Sequence, residues 1–171
     1  MAIVSDISHV DEIVERLEEL EKYQVVVGVI SSAGGEILMI ANVHEYGCDI
    51  PVTPKMRGFF LYNWGIMLTK STIKIPERSF IRAGFDAKKG EIESYGDLIE
   101  SVVTGGLGGR EFFEIIGQAA AQAIQSFLIN DVKSPPNSSF TIMNKRGKSN
   151  PLVDSGRLVN SISYEIRGSD V

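Results

Sequence analysis

The apolar positions of this chain fall into blocks whose period switches between helical and extended. Val10, Ile13, Val14, Leu17 and Leu20 recur at helical spacing with acids between them, which predicts a first helix from about Ser8 to Lys22. Ser8 followed by Asp11 resembles a capping start, and Glu12 sits one turn before Arg16. A stripe this regular is expected to be covered. Gln24–Ile30 is a short β-branched run closed by Ser31-Ser32-Ala33-Gly34-Gly35, and it predicts a buried strand. Ile37, Ile40, Ala41 and His44 then share a helical face that Gly47 is placed to stop; a strand starting near Ile37 is the alternative.

From residue 48 to 75 the pattern is irregular. Pro51 and Pro54 open the segment, and Phe59, Phe60, Leu61, Tyr62, Trp64, Ile66, Met67 and Leu68 crowd together behind them. We read it as an insertion, either a helix followed by a strand or a hairpin. Phe59, Phe60, Tyr62 and Trp64 are candidate partner contacts, with plain core as the alternative. Ile75–Arg82 leads into a helical pattern through Tyr95, Leu98, Ile99 and Val102, which Gly105–Gly109 ends. Glu111–Ile129 is the clearest helix, with a wide stripe of Phe, Ile, Leu and Ala that predicts the central helix of the fold.

Ser134-Pro135-Pro136-Asn137-Ser138 stops that helix, and the polar stretch 133–150 predicts an extended arm, mobile in isolation. Pro151–Leu158 reads as a tight polar turn through Asp154-Ser155-Gly156. Val159–Ile166 alternates, as a half-buried strand does, and is expected to close the fold by pairing with an earlier strand. The expectation is one α+β domain over 1–171. A small antiparallel or mixed sheet containing Gln24–Ile30 and Ser161–Ile166 is packed by three to four helices, with extended loop or arm insertions.

Composition adds little to this. The chain has 171 residues and a formal net charge of −5, so nothing global calls for nucleic acid or an anionic membrane. Locally, Lys133, Lys145, Arg146, Lys148 and Arg157 face only Asp154, a basic arm that offers at most non-specific phosphate contact. That arm could instead meet the acidic first helix of a neighbouring copy. The single Cys48 cannot form an internal disulfide, which fits a reducing compartment. Met1–Asp11 lacks the basic and apolar regions of a secretory signal, and the apolar runs around Ile37 and Phe59 are too short to span a bilayer, so no membrane role is expected.

Candidate chemistry is sparse. His44-Glu45 lacks the second histidine of a zinc-binding helix, because Cys48 stands where it would be. His44, Cys48 and Asp49 are the only grouping that could serve a metal-using or small DNA-associated enzyme, and a helix-end histidine explains His44 better. The Gly105–Gly109 cluster follows a helix and has no Walker lysine, so it reads as a joint rather than a phosphate loop. Ser155 lies outside any nucleophile elbow. No catalytic residue, cofactor or metal is expected.

Three separated blocks carry a resemblance. His44-Glu45-Tyr46-Gly47 is similar to the A-x-x-HEFG segment of a family of tailed-bacteriophage virion morphogenesis proteins. Ile75-Pro76-Glu77-Arg78-Ser79-Phe80-Ile81-Arg82 resembles the family's IPxRPF(L/I)R block. Ser134–Ser138, Lys145-Arg146-Gly147 and Pro151–Tyr164 resemble its ending, SPPNS…K-G-x-x-x-PLxDTGRLxxSIxY, so the likeness runs from about Val25 to Ile166. Ser79 stands in place of a common proline and is expected to loosen the turn before Phe80; Ser155 replaces a threonine and is expected to bond the backbone as threonine would.

The resemblance implies a neck, head–tail joining or tail-completion protein of the virion, made in the bacterial host cytoplasm. Such a protein assembles as a ring of copies of itself between the head-completion or connector protein and the tail-terminator or tail proteins. A tail-terminator ring capping the tail tube is the nearest alternative. His44, Glu45, Arg78, Phe80, Arg82, Asp154, Ser155, Gly156, Arg157 and Leu158 are then candidate interface or turn-pinning residues. Asp154 and Arg157 would pin the closing turn or bridge to an adjacent subunit.

Overall fold

The computed structural model describes residues 9–169, so the predicted start at Ser8 lies outside the described residues. In chain order the elements are α1 (Val10–Glu21), β1 (Tyr23–Val29), α2 (Gly35–Tyr46), β2 (Cys48–Pro51), α3 (Pro54–Trp64), β3 (Thr72–Ile75), α4 (Arg82–Glu93), α5 (Ile99–Val103), α6 (Gly109–Asn130), α7 (Ser139–Asn144), α8 (Arg157–Asn160) and β4 (Ile162–Gly168). Short 3-10 turns occupy Ser31–Ala33 and Ser94–Leu98. The fold is α+β.

β1 and β4 pair antiparallel, with Val25 opposite Ile166, Val27 opposite Tyr164 and Val29 opposite Ile162. This apolar face lies on α6, and the approach is close. A Cβ on Gly117 would sit 2.8 Å from Val25 Cγ2, so the helix can reach the sheet only with glycine there. The opposite face carries Gln24, Glu165 and Arg167, all exposed. β1 is therefore half-buried like its partner, not buried on both faces as its unbroken apolar run predicts. Besides α6, helices α1, α2 and α8 touch this sheet. β4 also starts later than expected, because Val159 turns inward as part of α8 before the strand begins.

The core gathers around Phe80, Ile124 and Leu128, all essentially inaccessible, with Ile37, Leu152, Leu158 and Ile162 packed about them. α6 supplies much of it through Phe112, Ala120, Ala121, Ala123, Ile124 and Leu128. It is the one described helix long and apolar enough by composition to cross a bilayer. α2 stops at Gly47, whose φ of 74° favours glycine and whose Cβ would approach Glu77 N to 2.9 Å.

The insertion combines both expected forms, since β2 and β3 pair antiparallel and α3 lies between them. Thr53 caps α3 by accepting from Met56 N at 3.2 Å, Pro54 fits the first turn, and left-handed Gly65 ends it. No residue of α3 is buried.

The arm is not extended. Ser138 caps α7 through Thr141 N, Lys145 Nζ donates to Asn150 O at 2.9 Å, and Asn150 Nδ2 donates to Ile129 O at 2.8 Å. These bonds fold 133–150 back against the end of α6. Phe140 then stacks near Phe60 and Trp64, with ring centroids 6.0 and 5.4 Å apart, so the two predicted extensions pack on each other.

Candidate functional site

Glu45, on the last turn of α2, is only 4% exposed and holds its carboxylate against the start of α4. Oε2 accepts from the backbone N–H groups of Phe80 and Ile81 at 2.8 and 3.0 Å. Oε1 accepts from Ser79 Oγ at 2.7 Å, Arg82 N at 3.1 Å and Arg82 Nε at 3.0 Å. A helix N-terminus leaves such N–H groups without intrahelical partners, and the helix dipole favours an anion there. α4 has no side-chain cap of its own from Ile81, so Glu45 fills that role from a distant part of the chain.

Burial pushes the Glu45 carboxyl up. The N–H of Ile81, the Ser79 hydroxyl and the N–H groups of Arg82 and Phe80 more than offset this, and the group ends below its ordinary value. With these donors in place the carboxylate is an occupied acceptor, suited to fixing backbone rather than to taking up a proton or a metal. Ser79 does not loosen the turn before Phe80. Its hydroxyl ties that turn to Glu45, which a proline could not do.

Arg82 extends the cluster outward. Its Nη2 bonds Glu45 O and Glu77 Oε1, and its guanidinium lies 4.7 Å from the centre of the Tyr46 ring. Arg78 runs the other way and is buried. Its backbone N–H donates to His44 O at 2.8 Å, while Nε and Nη2 donate to Pro135 O and Pro136 O at 2.7 and 3.1 Å. Asn137 continues the chain of bonds to Asn150 O, and Asn150 Oδ1 accepts from Leu152 N and Val153 N. The first two sequence blocks and the opening of the third thus form one network of side chains bonded to backbone.

His44 sits beside this network with Nδ1 buried and without a hydrogen-bond partner among the described residues. Burial first, and then the charges of Arg78 and Lys145, push its pKa down, so its ring is neutral at pH 7. Among the described residues no three His, Cys, Asp or Glu side chains gather as a metal site, so His44, Cys48 and Asp49 do not form one.

The closing turn is fixed separately. Asp154 and Arg157 do not pair with each other: Arg157 Nη2 bonds Glu36 Oε2 of α2 at 2.9 Å, and Asp154 lies 3.9 Å from Lys148 Nζ. Ser155 Oγ makes a long contact to Arg157 N at 3.5 Å, the backbone bond expected of it. Gly156 adopts φ 83°. Phe80 and Leu158 are buried in the core and offer no surface to a neighbour. Phe59, Tyr62 and Trp64 lie apart from these residues on α3 and are exposed, whereas Phe60 is partly covered.

Asn137 and Lys145 lie inside the block that carries the resemblance but were not read as site residues, and Asn150, marked only by its polar character, was not singled out. Two apolar hollows of about 580 and 560 Å³ flank Ile81, one towards Met39 and Tyr46 and the other towards Phe85 and Ile116. No family model, curated protein or solved structure matches the chain.

Proposed function

We propose that this chain is a non-catalytic structural protein of a tailed-phage virion. It assembles in several copies as a ring in the neck and joins the head connector to the top of the tail. The observation that carries this reading is the Glu45 and Arg78 network. The HEYG and IPERSFIR blocks and the opening of the closing block, which resemble the tailed-phage family, are joined in it by direct hydrogen bonds. Residues that serve one another in this way support a shared architectural origin for the blocks rather than three unrelated short likenesses.

The chemistry points in the same direction. Glu45 is saturated by donors, Arg78 is spent on backbone carbonyls, and both hold polypeptide in place. The test is electron microscopy of particles from a phage or prophage in which this gene is interrupted. Filled heads separated from finished tails are the expected result. Tails of uncontrolled length would instead assign a terminator ring, and normal infectious particles would refute both.

A further inference from the structure

α1 does not bury its whole apolar stripe. Ile13 and Leu20 turn towards α5, α6 and β1, but Val10, Val14 and Leu17 remain exposed along the outer side, Val10 at 58%. At 100° per residue, Asp11 and Glu18 run beside that exposed row, Glu21 falls within it, and Glu15 lies further round on the same side as Asp11 and Glu18. None of these four acids has an ion-pair partner among the described residues, whereas Glu12 pairs with His9 and Arg16.

The insertion is the complement. Between Ile50 and Pro76 the charged residues are Lys55, Arg57, Lys70 and Lys74, with no acid among them. None of these four has an ion-pair partner among the described residues; Arg57 only donates to Lys70 O. Between them α3 and the loop that follows it expose Phe59, Leu61, Tyr62, Trp64 and Met67, with Tyr62 at 91% and Met67 at 75%. The basic arm is a poorer counterpart for α1. Lys145 is used on Asn150 O and Pro151 O, Lys148 on Asp154 O, and Arg157 on Glu36.

We infer that α1 of one copy docks on the β2–α3–β3 insertion of the next. Val10, Val14 and Leu17 lie against Tyr62, Trp64 and Met67, with the acids of α1 facing Lys55, Arg57, Lys70 and Lys74. Among the described residues of one chain nothing covers either patch, since α1 packs on α5, α6 and β1 while Phe60 of α3 meets Phe140 of α7. The contact is therefore heterologous. Each copy offers one donor helix and one acceptor surface, the arrangement that closes rings or extends filaments. Apolar rows supply the attraction, and unpaired charge of opposite sign sets partner and register.

This inference deepens the ring reading and names its subunit contact. The test uses the full chain in sedimentation velocity at low ionic strength up to millimolar concentration, with folding checked by circular dichroism. The Glu15→Lys/Glu18→Lys variant alters only α1, and the Lys55→Glu/Arg57→Glu variant alters only the insertion. The wild-type chain is expected to self-associate and to dissociate as salt rises. Each folded variant alone brings one of the two facing charge sets to a net of zero, so the attraction between opposite signs is lost at every junction and the variant is expected to stay monomeric. Mixed in equal amounts, the two variants restore the wild-type pairing at alternate junctions and set introduced lysines against introduced glutamates at the others, and they are expected to associate again.

Variants that associate as the wild-type chain does, or a mixture of folded variants that stays monomeric, would overturn this contact while leaving the ring reading to particle microscopy. A wild-type chain that is monomeric throughout also overturns it. Vesicles of mixed phosphatidylserine and phosphatidylcholine provide the last comparison. Sedimentation of the wild-type chain with them, lost in the Lys55→Glu/Arg57→Glu variant without change in self-association, would assign the insertion to a membrane surface instead.

Discussion

Replacing Glu45 by glutamine tests the central claim about the network with the smallest change of shape. The carboxylate has two oxygens in use, Oε2 serving Phe80 N and Ile81 N and Oε1 serving Ser79 Oγ, Arg82 N and Arg82 Nε. Glutamine keeps one acceptor and turns the other into an NH₂ donor. Placing that NH₂ at the Oε2 position costs least in number, since it orphans two backbone donors, Phe80 N in a fully buried setting and Ile81 N beside it. A buried donor left without its acceptor costs about 1–3 kcal/mol, so the pair predicts a loss of about 2–6 kcal/mol. Against a total stability of about 5–15 kcal/mol for a domain, that is a large fraction.

The assay is urea unfolding of both proteins followed by far-ultraviolet circular dichroism, repeated from pH 7 to acid. The folded pKa of Glu45 lies below its ordinary value of 4.5. Its ionised form therefore contributes stability that is fully present above the unfolded value and lost as pH falls through the lowered folded one. The wild-type advantage over Glu45→Gln should hold at neutral pH and shrink below about pH 4.5. A Glu45→Gln protein within about 0.5 kcal/mol of wild type at pH 7 would refute the capping argument, since that is the scatter of ordinary surface changes.

Other outcomes follow from neighbouring contacts. Arg78→Ala removes two charge-assisted bonds to Pro135 O and Pro136 O, and should cost about 1.5–3 kcal/mol per bond at most while speeding amide hydrogen exchange in α7. Gly117→Ala places a methyl group 2.8 Å from Val25 Cγ2, so a strain of about 1–3 kcal/mol should outweigh the roughly 1 kcal/mol gained in helix propensity, lowering the melting temperature. His44 has a folded pKa below 6.5, so its protonation favours the unfolded chain. Stability should fall as pH drops from 6.5 to that lowered value and then level off, and His44→Gln should abolish this step in denaturant titrations. Phe140→Ala should shift Trp64 emission to the red, because the Phe140 ring stands 5.4 Å from the indole.

β4 and α6 were legible because each writes its burial as a period, and β1 because a β-branched run is closed by turn residues, although that run hid which face stays open. Val25, Val27 and Val29 on one strand, and Ile162, Tyr164 and Ile166 on the other, face a single helix, and the α6 stripe repeats over several turns. β2 and β3 are only four residues each, too short for alternation to register beside a dense aromatic run. The folded arm was invisible for a different reason. Asn137, Lys145 and Asn150 organise it by bonding backbone carbonyls and amides, and such bonds leave no apolar periodicity. The Glu45 cap was half legible: the blocks stood out as motifs, but a carboxylate and the N–H groups it caps are 35 residues apart at Phe80, and nothing local marks them as partners.

The fate of the charged side chains separates what holds this chain together from what it offers outward. Glu45 and Arg78 are buried and committed to backbone, and Lys145, Lys148 and Arg157 close the arm and the final turn. These bonds order the arm within a single chain, so its ordering entropy is met on folding rather than on assembly. By contrast, Asp11, Glu15, Glu18 and Glu21 on α1, and Lys55, Arg57, Lys70 and Lys74 around α3, have no ion-pair partner among the described residues and accompany exposed apolar side chains. Solvent alone explains a scattered surface charge. Here one sign lines an exposed helix row and the other surrounds an exposed aromatic cluster, a distribution that fits the proposed head-to-tail contact.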